Sequence, residues 1–194
     1  MTEYIYDFDF GILGFIRDNL ACPAGDVIMK IFTYSGSGGA VWIAIALVML
    51  IAGRRKWKMT GAMLAAALVM SLIIDNILLK NLIARPRPFI ADPGFVPAIP
   101  PPMGYSFPSG HSCSSFACAA VLHRRLGKGV SGRRAVFAVS AAWFTAAVIA
   151  FSRLYFFVHF PTDVIAGAVI GVIIGFAAVR ATEFTQKHFK NERT

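Results

Sequence analysis

Long, almost uninterrupted runs of apolar residues dominate the hydrophobic pattern of this chain. A membrane-spanning helix needs ~20 mostly apolar residues, and five segments approach or reach that length. They are Ile31–Ala52, Met59–Leu79, Ser109–Leu126, Ala135–Phe151 and Val164–Val179. The pattern therefore predicts an all-α integral-membrane bundle with about five transmembrane helices. The run Gly36–Gly39 favours a break, so the first span could be shorter than its apolar segment.

Residues 4–20 have a different, amphipathic pattern. Apolar side chains recur there at roughly helical spacing, at Ile5, Phe8, Ile12, Phe15 and Ile16. Such a face suits a helix that lies on the membrane surface. The N-terminus is acidic and lacks a positive charge ahead of an apolar run, so it does not resemble a secretory signal peptide. We expect residues 1–30 to form an interfacial segment of a single domain that covers residues 1–194.

The composition supports a membrane protein. Hydrophobic residues make up 57% of the 194 residues, and the mean hydropathy is +0.64. Soluble domains rarely reach that apolar fraction. The three cysteines have no spacing typical of a metal or redox site, and we expect no structural disulfide.

Basic residues are concentrated at one end of the predicted spans. Thirteen of the 19 Lys and Arg residues lie between spans one and two, between spans three and four, or after span five. They are Arg54, Arg55, Lys56, Lys58, Arg124, Arg125, Lys128, Arg133, Arg134, Arg180, Lys187, Lys190 and Arg193. The positive-inside rule makes that end cytoplasmic and turns the N-terminus and the loops 85–108 and 152–161 outward. The net charge of +9 is then a topology signal, and we expect no nucleic acid partner.

The strongest chemical signal lies where the fifth span begins. Ser152-Arg153 is followed there by His159 and Asp163. Two residues four apart share a face if both lie in the first turns of a helix. A carboxylate bonded to one imidazole nitrogen makes the other nitrogen more nucleophilic, and a neutral imidazole can attack phosphorus to form a phosphohistidine. Taken alone, the pair could equally be an interfacial histidine beside a helix-capping aspartate.

Pro108-Ser109-Gly110-His111 marks the start of the third span. Ser109 is a plausible N-cap, and Gly110 lets the backbone approach an anion closely. The free N–H groups at a helix start can bind a phosphate. His111 is placed to act as a general acid for a leaving oxygen. An isolated Ser-Gly-His most often marks only a turn, so this block indicates a phosphate site only in combination with the basic block before it and the His159 block after it.

Cations cluster at the outer end of the second span. Lys80 and Arg87 flank this end, and Pro88 stiffens the turn that follows. Arginine binds phosphoryl oxygens through two parallel hydrogen bonds, whereas an isolated cation here is usually an interfacial anchor. Asp75 lies inside the span, and we expect it to be the partner of a nearby cation such as Lys80 or Arg87. Arg85 matches no motif position and is left as a neighbour.

In this order, the three blocks resemble the type 2 phosphatidic acid phosphatase (PAP2) superfamily from about Lys80 to Asp163. The resemblance implies a membrane phosphatase that hydrolyses a lipid phosphate or diphosphate without a metal or other cofactor. It implies that His159 is the nucleophile, that Asp163 orients it, and that His111 protonates the leaving group. The residues that it assigns to phosphate binding are Lys80, Arg87, Ser109, Gly110 and Arg153.

The substrate is the least determined part of this interpretation. An outward-facing site favours undecaprenyl diphosphate, whereas phosphatidylglycerophosphate, phosphatidate and lipid A phosphatases are the alternatives. A transporter or channel is a rival of another class, although its charges would line a path instead of gathering at one end. Vanadate-dependent haloperoxidases share the anion-binding motifs but are soluble. The proline-rich stretch Asp92–Pro108 is predicted to be an extended loop, either a gate or a rigid connector.

Overall fold

The computed structural model describes residues 2–92, 96–127 and 132–191. Within these ranges the chain is helical and contains no β-strand. The helices are α1 (Thr2–Leu20), α2 (Pro23–Gly36), α3 (Ala40–Ala52), α4 (Arg55–Ser71), α5 (Lys80–Ile83), α6 (Pro88–Ala91), α7 (Gly110–Gly127), α8 (Arg133–Tyr155) and α9 (Pro161–Asn191). The predicted all-α fold is confirmed. Lys128, Arg193 and part of the proline-rich loop lie outside the described residues.

Four stretches of the described chain are long and apolar enough to cross a membrane. They are Pro23–Ile51, Arg55–Ala91, Arg133–Tyr155 and Pro161–Thr185. They correspond to the first, second, fourth and fifth predicted spans, with ends that differ by several residues. The protein is therefore a multi-pass membrane protein.

The third predicted span corresponds to α7, which is not among these four apolar stretches. Its small side chains are largely buried inside the bundle, including Cys113, Ala117 and Cys118. The helix packs mainly against α9 and α8, and also against α4. Because neighbouring helices cover it, α7 does not need the apolar surface of a lipid-facing span.

A row of glycines lets α9 approach α7 closely. Gly167, Gly171 and Gly175 recur every four residues along α9. A Cβ atom at each position would lie within 3.0 Å of a backbone oxygen. The oxygens concerned belong to Ser109, Cys113 and Ala117. This spacing of small residues is typical of closely packed membrane helices, and it fixes the start of α9 against the start of α7.

Two irregular segments interrupt the long spans close to the predicted motifs. The break between α2 and α3 contains Gly38 and Gly39, with φ values of +59° and +75°. Glycine adopts such angles without steric cost, and the break expected in this run is confirmed. Between α4 and α5, Leu72–Leu79 is wound more widely, as a π-helix. Segments of this kind are rare and often occur at functional sites.

The amphipathic N-terminal helix is also confirmed as a helix, and it packs against α8 and α9. Most of its predicted apolar face, including Phe8 and Phe15, is exposed on the outside of the bundle. Leu13 and Asp9 lie on the adjacent side of the helix, which packs against the bundle, and both are fully buried. A buried carboxylate on this helix was not anticipated from the sequence.

Candidate active site

All three sequence blocks meet at one end of the helix bundle. The first block follows the π-helical segment, the second begins α7, and the third forms the turn from α8 into α9. Backbone hydrogen bonds join them directly, since the Ser109 N–H donates to the Asp163 carbonyl at 3.0 Å. The convergence expected from the topology is therefore present in the fold.

The π-helical winding orients Lys80. Its backbone N–H donates to the Asp75 carbonyl, five residues earlier. Its ammonium group donates to Asn76 Oδ1 at 2.6 Å and to Asp75 Oδ2 at 3.3 Å. The wide winding thus brings two consecutive side chains within reach of one lysine. The expected pairing of Asp75 with a nearby cation is present.

Arg87 is buried and held by backbone carbonyl groups and by His159. Its Nε donates to Gly104 O at 2.9 Å, and its Nη2 donates to Met103 O at 3.1 Å. Its Nη1 donates to Val158 O at 2.9 Å and lies 3.2 Å from His159 Nε2. A guanidinium group only donates, so Nε2 is the acceptor and carries no proton in this arrangement. One N–H group of Nη2 stays available to an anion.

The turn between α8 and α9 places His159 over the end of α8. Phe157 has a φ of +58°, and the N–H groups of Val158 and His159 both donate to the Arg153 carbonyl. The imidazole is almost completely buried. Burial lowers the pKa of His159 well below its ordinary value of 6.5, and Arg87 and Arg153 lower the pKa further by charge repulsion. The side chain is therefore neutral at pH 7, as a nucleophilic imidazole must be.

Asp163 lies one turn along α9 and is fully buried. Its Oδ2 is 3.5 Å from His159 Nδ1, and among the described residues Nδ1 has no hydrogen-bond partner. Hydrogen bonds of catalytic groups are often this loose before substrate binds. Oδ2 also accepts from the Phe160 N–H at 2.9 Å, and Oδ1 accepts from Arg85 Nη1 at 2.7 Å. Arg85 is thus a direct partner of Asp163.

The start of α7 contributes a helix cap and a close approach of backbone. Ser109 is fully buried, and its Oγ lies 3.5 Å from the Ser112 N–H and accepts from Ser112 Oγ at 3.0 Å. This geometry fits the expected N-cap. A Cβ atom at Gly110 would lie 2.7 Å from Asp75 Oδ2, so only glycine fits here without a shift. Phosphate binding by Ser109 stays a prediction.

Thr33 of α2 joins two of the predicted site residues. Its carbonyl is 3.1 Å from His111 Nε2, and its hydroxyl accepts from Arg153 Nη1. Because a carbonyl only accepts, His111 Nε2 carries a proton in this arrangement. The Nε of Arg153 is buried and has no partner within the part of the chain that the structure describes, so this N–H group is available to a ligand.

These side chains line one end of a cavity of about 500 Å³. The predicted residues on its wall are Lys80, Arg87, Gly110, His111, Arg153 and His159. Ser109 and Asp163 are not among the lining residues and lie behind them. The rest of the wall is largely apolar and comes mainly from α3, α4 and the start of the π-helical segment, including Ile43, Leu47, Leu50, Leu68 and Leu72. The cavity matches an amphipathic ligand with an anionic head.

Three residues of this arrangement were missed by the sequence analysis. Arg85 had a signal in the Arg85-Pro86-Arg87-Pro88 run, but only Arg87 was assigned a role. Asp9 counted only as part of the acidic N-terminus that argues against a signal peptide. Its place on an amphipathic helix was a signal that it could pair with a cation. Thr33 carries no signal, because a threonine in an apolar span is common.

Several known phosphatases are similar to this chain. Residues 55–187 match the PAP2 superfamily. An undecaprenyl-diphosphatase of Sulfolobus acidocaldarius is 29% identical over 147 residues, which are 72% of this chain and 63% of that protein. A decaprenylphosphoryl-5-phosphoribose phosphatase of Mycobacterium tuberculosis is 32% identical over 137 residues, 69% of this chain and 67% of that protein. This chain thus spans less than two thirds of the length of the archaeal relative.

Solved structures show the same fold. The crystal structure of Aquifex aeolicus LpxE is 27% identical, with a TM-score of 0.65 over 89% of this chain and 95% of that chain. A transmembrane PAP2-type phosphatidylglycerolphosphate phosphatase from Bacillus subtilis has a TM-score of 0.74 at 22% identity, over 95% of this chain and 87% of that chain. A bacterial vanadium-dependent iodoperoxidase also shares the fold, with a TM-score of 0.52 at 17% identity, over 92% of this chain and 47% of that chain.

Proposed function

Because this chain belongs to the PAP2 superfamily, we propose that it hydrolyses a lipid phosphate or diphosphate through a phosphohistidine intermediate, with undecaprenyl diphosphate as the first candidate. The observation that carries the proposal is the cavity. Its polar end has three cations and the neutral His159, and its apolar wall runs along α3 and α4. A lipid with a phosphorylated head group matches both parts.

The proposed reaction begins with His159 Nε2, whose lone pair attacks phosphorus. The bond between phosphorus and the leaving oxygen breaks, and His111 donates a proton to that oxygen. Water then attacks the phosphohistidine, His111 takes a proton from the water, and the P–N bond breaks to release phosphate. In the structure Arg87 Nη1 donates to Nε2, so this N–H must turn to a phosphoryl oxygen when the substrate binds.

Lys80, Arg87 and Arg153 stabilise the charge on the phosphoryl oxygens in this proposal. Cations placed in this way make a divalent metal unnecessary. Within the described residues, no group of three or more His, Cys, Asp or Glu side chains is arranged to hold a metal ion. We expect EDTA to leave the rate unchanged and orthovanadate, which can become five-coordinate, to inhibit. Loss of activity in EDTA that Mg²⁺ restores would contradict metal independence.

The substrate preference is supported by the names of the relatives. Two of them act on polyprenyl phosphates by name, the undecaprenyl-diphosphatase and the decaprenylphosphoryl-5-phosphoribose phosphatase. The alternatives are a phosphatidylglycerophosphate, phosphatidate or lipid A phosphatase. A lipid A 4'-phosphatase of Bacteroides thetaiotaomicron is 28% identical over 181 residues, 88% of this chain and 75% of that protein.

A panel of lipids tests the proposal. Protein purified in detergent would be assayed for phosphate release from undecaprenyl diphosphate, phosphatidylglycerophosphate, phosphatidate and lipid A. We expect kcat/KM to be highest with undecaprenyl diphosphate, and His159→Ala protein serves as the blank. A higher kcat/KM with a diacyl lipid would contradict the proposed substrate but would still support a lipid phosphatase. No release from any lipid would exclude the enzyme and favour a transporter or channel.

A further inference from the structure

A cluster of buried charges lies behind the candidate nucleophile. Arg85 Nη1 donates to Asp163 Oδ1 at 2.7 Å, and Arg85 Nη2 donates to Asp9 Oδ2 at 2.6 Å. The side chains of both aspartates are fully buried, and that of Arg85 is 12% exposed. One guanidinium group therefore connects the N-terminal helix α1 with the carboxylate that faces His159.

Thr162 completes this cluster. Its backbone N–H donates to Asp9 Oδ1 at 3.0 Å, and its hydroxyl is 2.6 Å from Asp9 Oδ2 and 2.7 Å from Arg85 Nη1. Thr162 is the second residue of α9, where backbone N–H groups lack a partner within the helix. Asp9 therefore caps the helix that carries Asp163 and also neutralises part of the charge of Arg85.

The site of Arg85 is specific for an arginine. Its guanidinium carbon lies 3.9 Å from the centre of the Phe160 ring and 5.0 Å from that of Tyr6. A planar guanidinium group can stack on rings while it bonds to two carboxylates, and a lysine ammonium cannot do both. Tyr6 belongs to α1, so this helix supplies both a ring and a carboxylate to Arg85.

Arg85 and Asp9 do not line the cavity, so neither is placed to contact the phosphoryl group. Their effect on chemistry must pass through Asp163. The Oδ1 of Asp163 is held by Arg85, and its Oδ2 is held by the Phe160 N–H. With both oxygens fixed, the carboxylate stays turned towards His159 Nδ1, 3.5 Å from Oδ2.

We propose that Arg85 is a positioning residue for catalysis, locked in place by Asp9 of α1, and that it acts by holding Asp163 in line with His159. This inference rests on the proposed function, because it takes His159 as the nucleophile. It gives the N-terminal helix a part in the active site, since α1 supplies the carboxylate that fixes Arg85. The placement of α1 therefore governs the rate and not the affinity for the lipid.

Arg85→Ala and Arg85→Lys separate positioning from substrate binding. A shift of about 1 Å in a catalytic group costs on the order of a hundredfold in rate, so we expect Arg85→Ala to lower kcat by about that factor and to leave KM within about twofold. Arg85→Lys keeps the positive charge but loses the planar guanidinium group, so its kcat should lie between those of the wild type and Arg85→Ala. Guanidinium ion added to folded Arg85→Ala protein should restore part of kcat.

Asp9→Asn tests the lock, and Asp7→Asn on the exposed face of the same helix is its matched control. We expect Asp9→Asn to lower kcat and Asp7→Asn to leave it unchanged. If Asp9 acts through Arg85, the double variant Asp9→Asn/Arg85→Ala should have a kcat no lower than that of Arg85→Ala alone. These aspartate variants and Arg85→Lys keep the test decisive even if Arg85→Ala does not fold, which a size-exclusion profile would show.

These measurements distinguish a purely structural role of Arg85 from a role in positioning Asp163. The inference would be overturned by a wild-type kcat in Arg85→Ala protein or by a raised KM with unchanged kcat. It would also be overturned by additive losses of kcat in the double variant Asp9→Asn/Arg85→Ala, or by equal effects of Asp9→Asn and Asp7→Asn. The His159→Ala variant, measured in parallel, tests the proposed function separately from the positioning role of Arg85. If it is inactive while Arg85→Ala is fully active, the proposed function stands and the positioning role falls.

Discussion

His159 depends on its neighbours for both its charge state and its orientation. Arg87 and Arg153 surround the imidazole with positive charge, and Asp163 faces its Nδ1. We expect His159→Ala to abolish phosphate release, because it removes the proposed nucleophile. Asp163→Asn should lose most of the activity, since an amide does not favour the required tautomer. Phosphate release by purified variants in detergent measures both effects.

A useful control for these variants is Asp18→Asn, because Asp18 is an exposed residue of α1 that pairs with Arg17. Its activity and its size-exclusion profile should equal those of the wild type. If His159→Ala protein keeps more than a few per cent of the wild-type rate, the covalent mechanism is wrong.

The charge of His159 can be measured without substrate. The pKa of this side chain is lowered below 6.5, so the folded protein binds the proton only at lower pH than an unfolded chain does. The neutral nucleophile is therefore present at pH 6.5 and above, and any stability linked to it is lost as pH falls below that value. NMR titration of histidine-labelled protein should show a His159 midpoint below 6.5.

The chain has four histidines, and comparison with the His159→Ala spectrum assigns the resonance. A midpoint at or above 6.5 would show that burial and the two arginines do not control this group. It would also mean that much of the enzyme starts each cycle with a protonated, inactive imidazole.

At the scale of helices, the contact between α7 and α9 holds the second and third blocks together. A Cβ atom on Gly171 would meet the Cys113 carbonyl of α7 closer than 3.0 Å. We expect Gly171→Ala to push the helices apart and to destabilise the protein by about 1–3 kcal/mol, the usual cost of overpacking. Thermal unfolding in detergent measures the loss.

Gly11→Ala is the matched control, because a Cβ atom on Gly11 of α1 would meet no described atom within 4 Å. It should be neutral or slightly stabilising, since alanine favours helix over glycine. Equal melting temperatures for the two variants would show that close approach of α7 and α9 is not needed.

The orientation of the whole molecule follows from charge and is the remaining prediction. The positive-inside rule places the three blocks on the outer side and the C-terminus in the cytoplasm. With Cys22, Cys113 and Cys118 replaced, Val96→Cys should react with a membrane-impermeant thiol reagent in intact cells, after permeabilisation of any outer membrane. Val96 is 84% exposed and lies in the proline-rich loop.

Arg54→Cys, exposed at the opposite end of the bundle between α3 and α4, should react only after the cells are lysed. The reverse labelling pattern would place the cavity on the cytoplasmic side. Undecaprenyl diphosphate presented at the outer surface would then be excluded as a substrate.

The all-α class, four of the apolar spans, the N-terminal helix and the candidate site residues on the cavity wall could be predicted from the sequence. These features depend on local patterns, namely the length of apolar runs and polar residues at the ends of helices. The same local view could not tell that α7, predicted as the third span, is covered by its neighbours. A helix covered by its neighbours needs small side chains and not apolar surface, and only packing shows which helix is covered.

The residues that support the candidate nucleophile could be recognised only from the folded molecule. Asp9 and Thr162 are 153 positions apart, and Arg85 was set aside because it matches no motif position. Buried charges must be paired or hydrogen-bonded, but that rule does not say which distant group supplies the partner. The fold made that choice when α1 packed against the start of α9 and brought Asp9 to Arg85 behind Asp163.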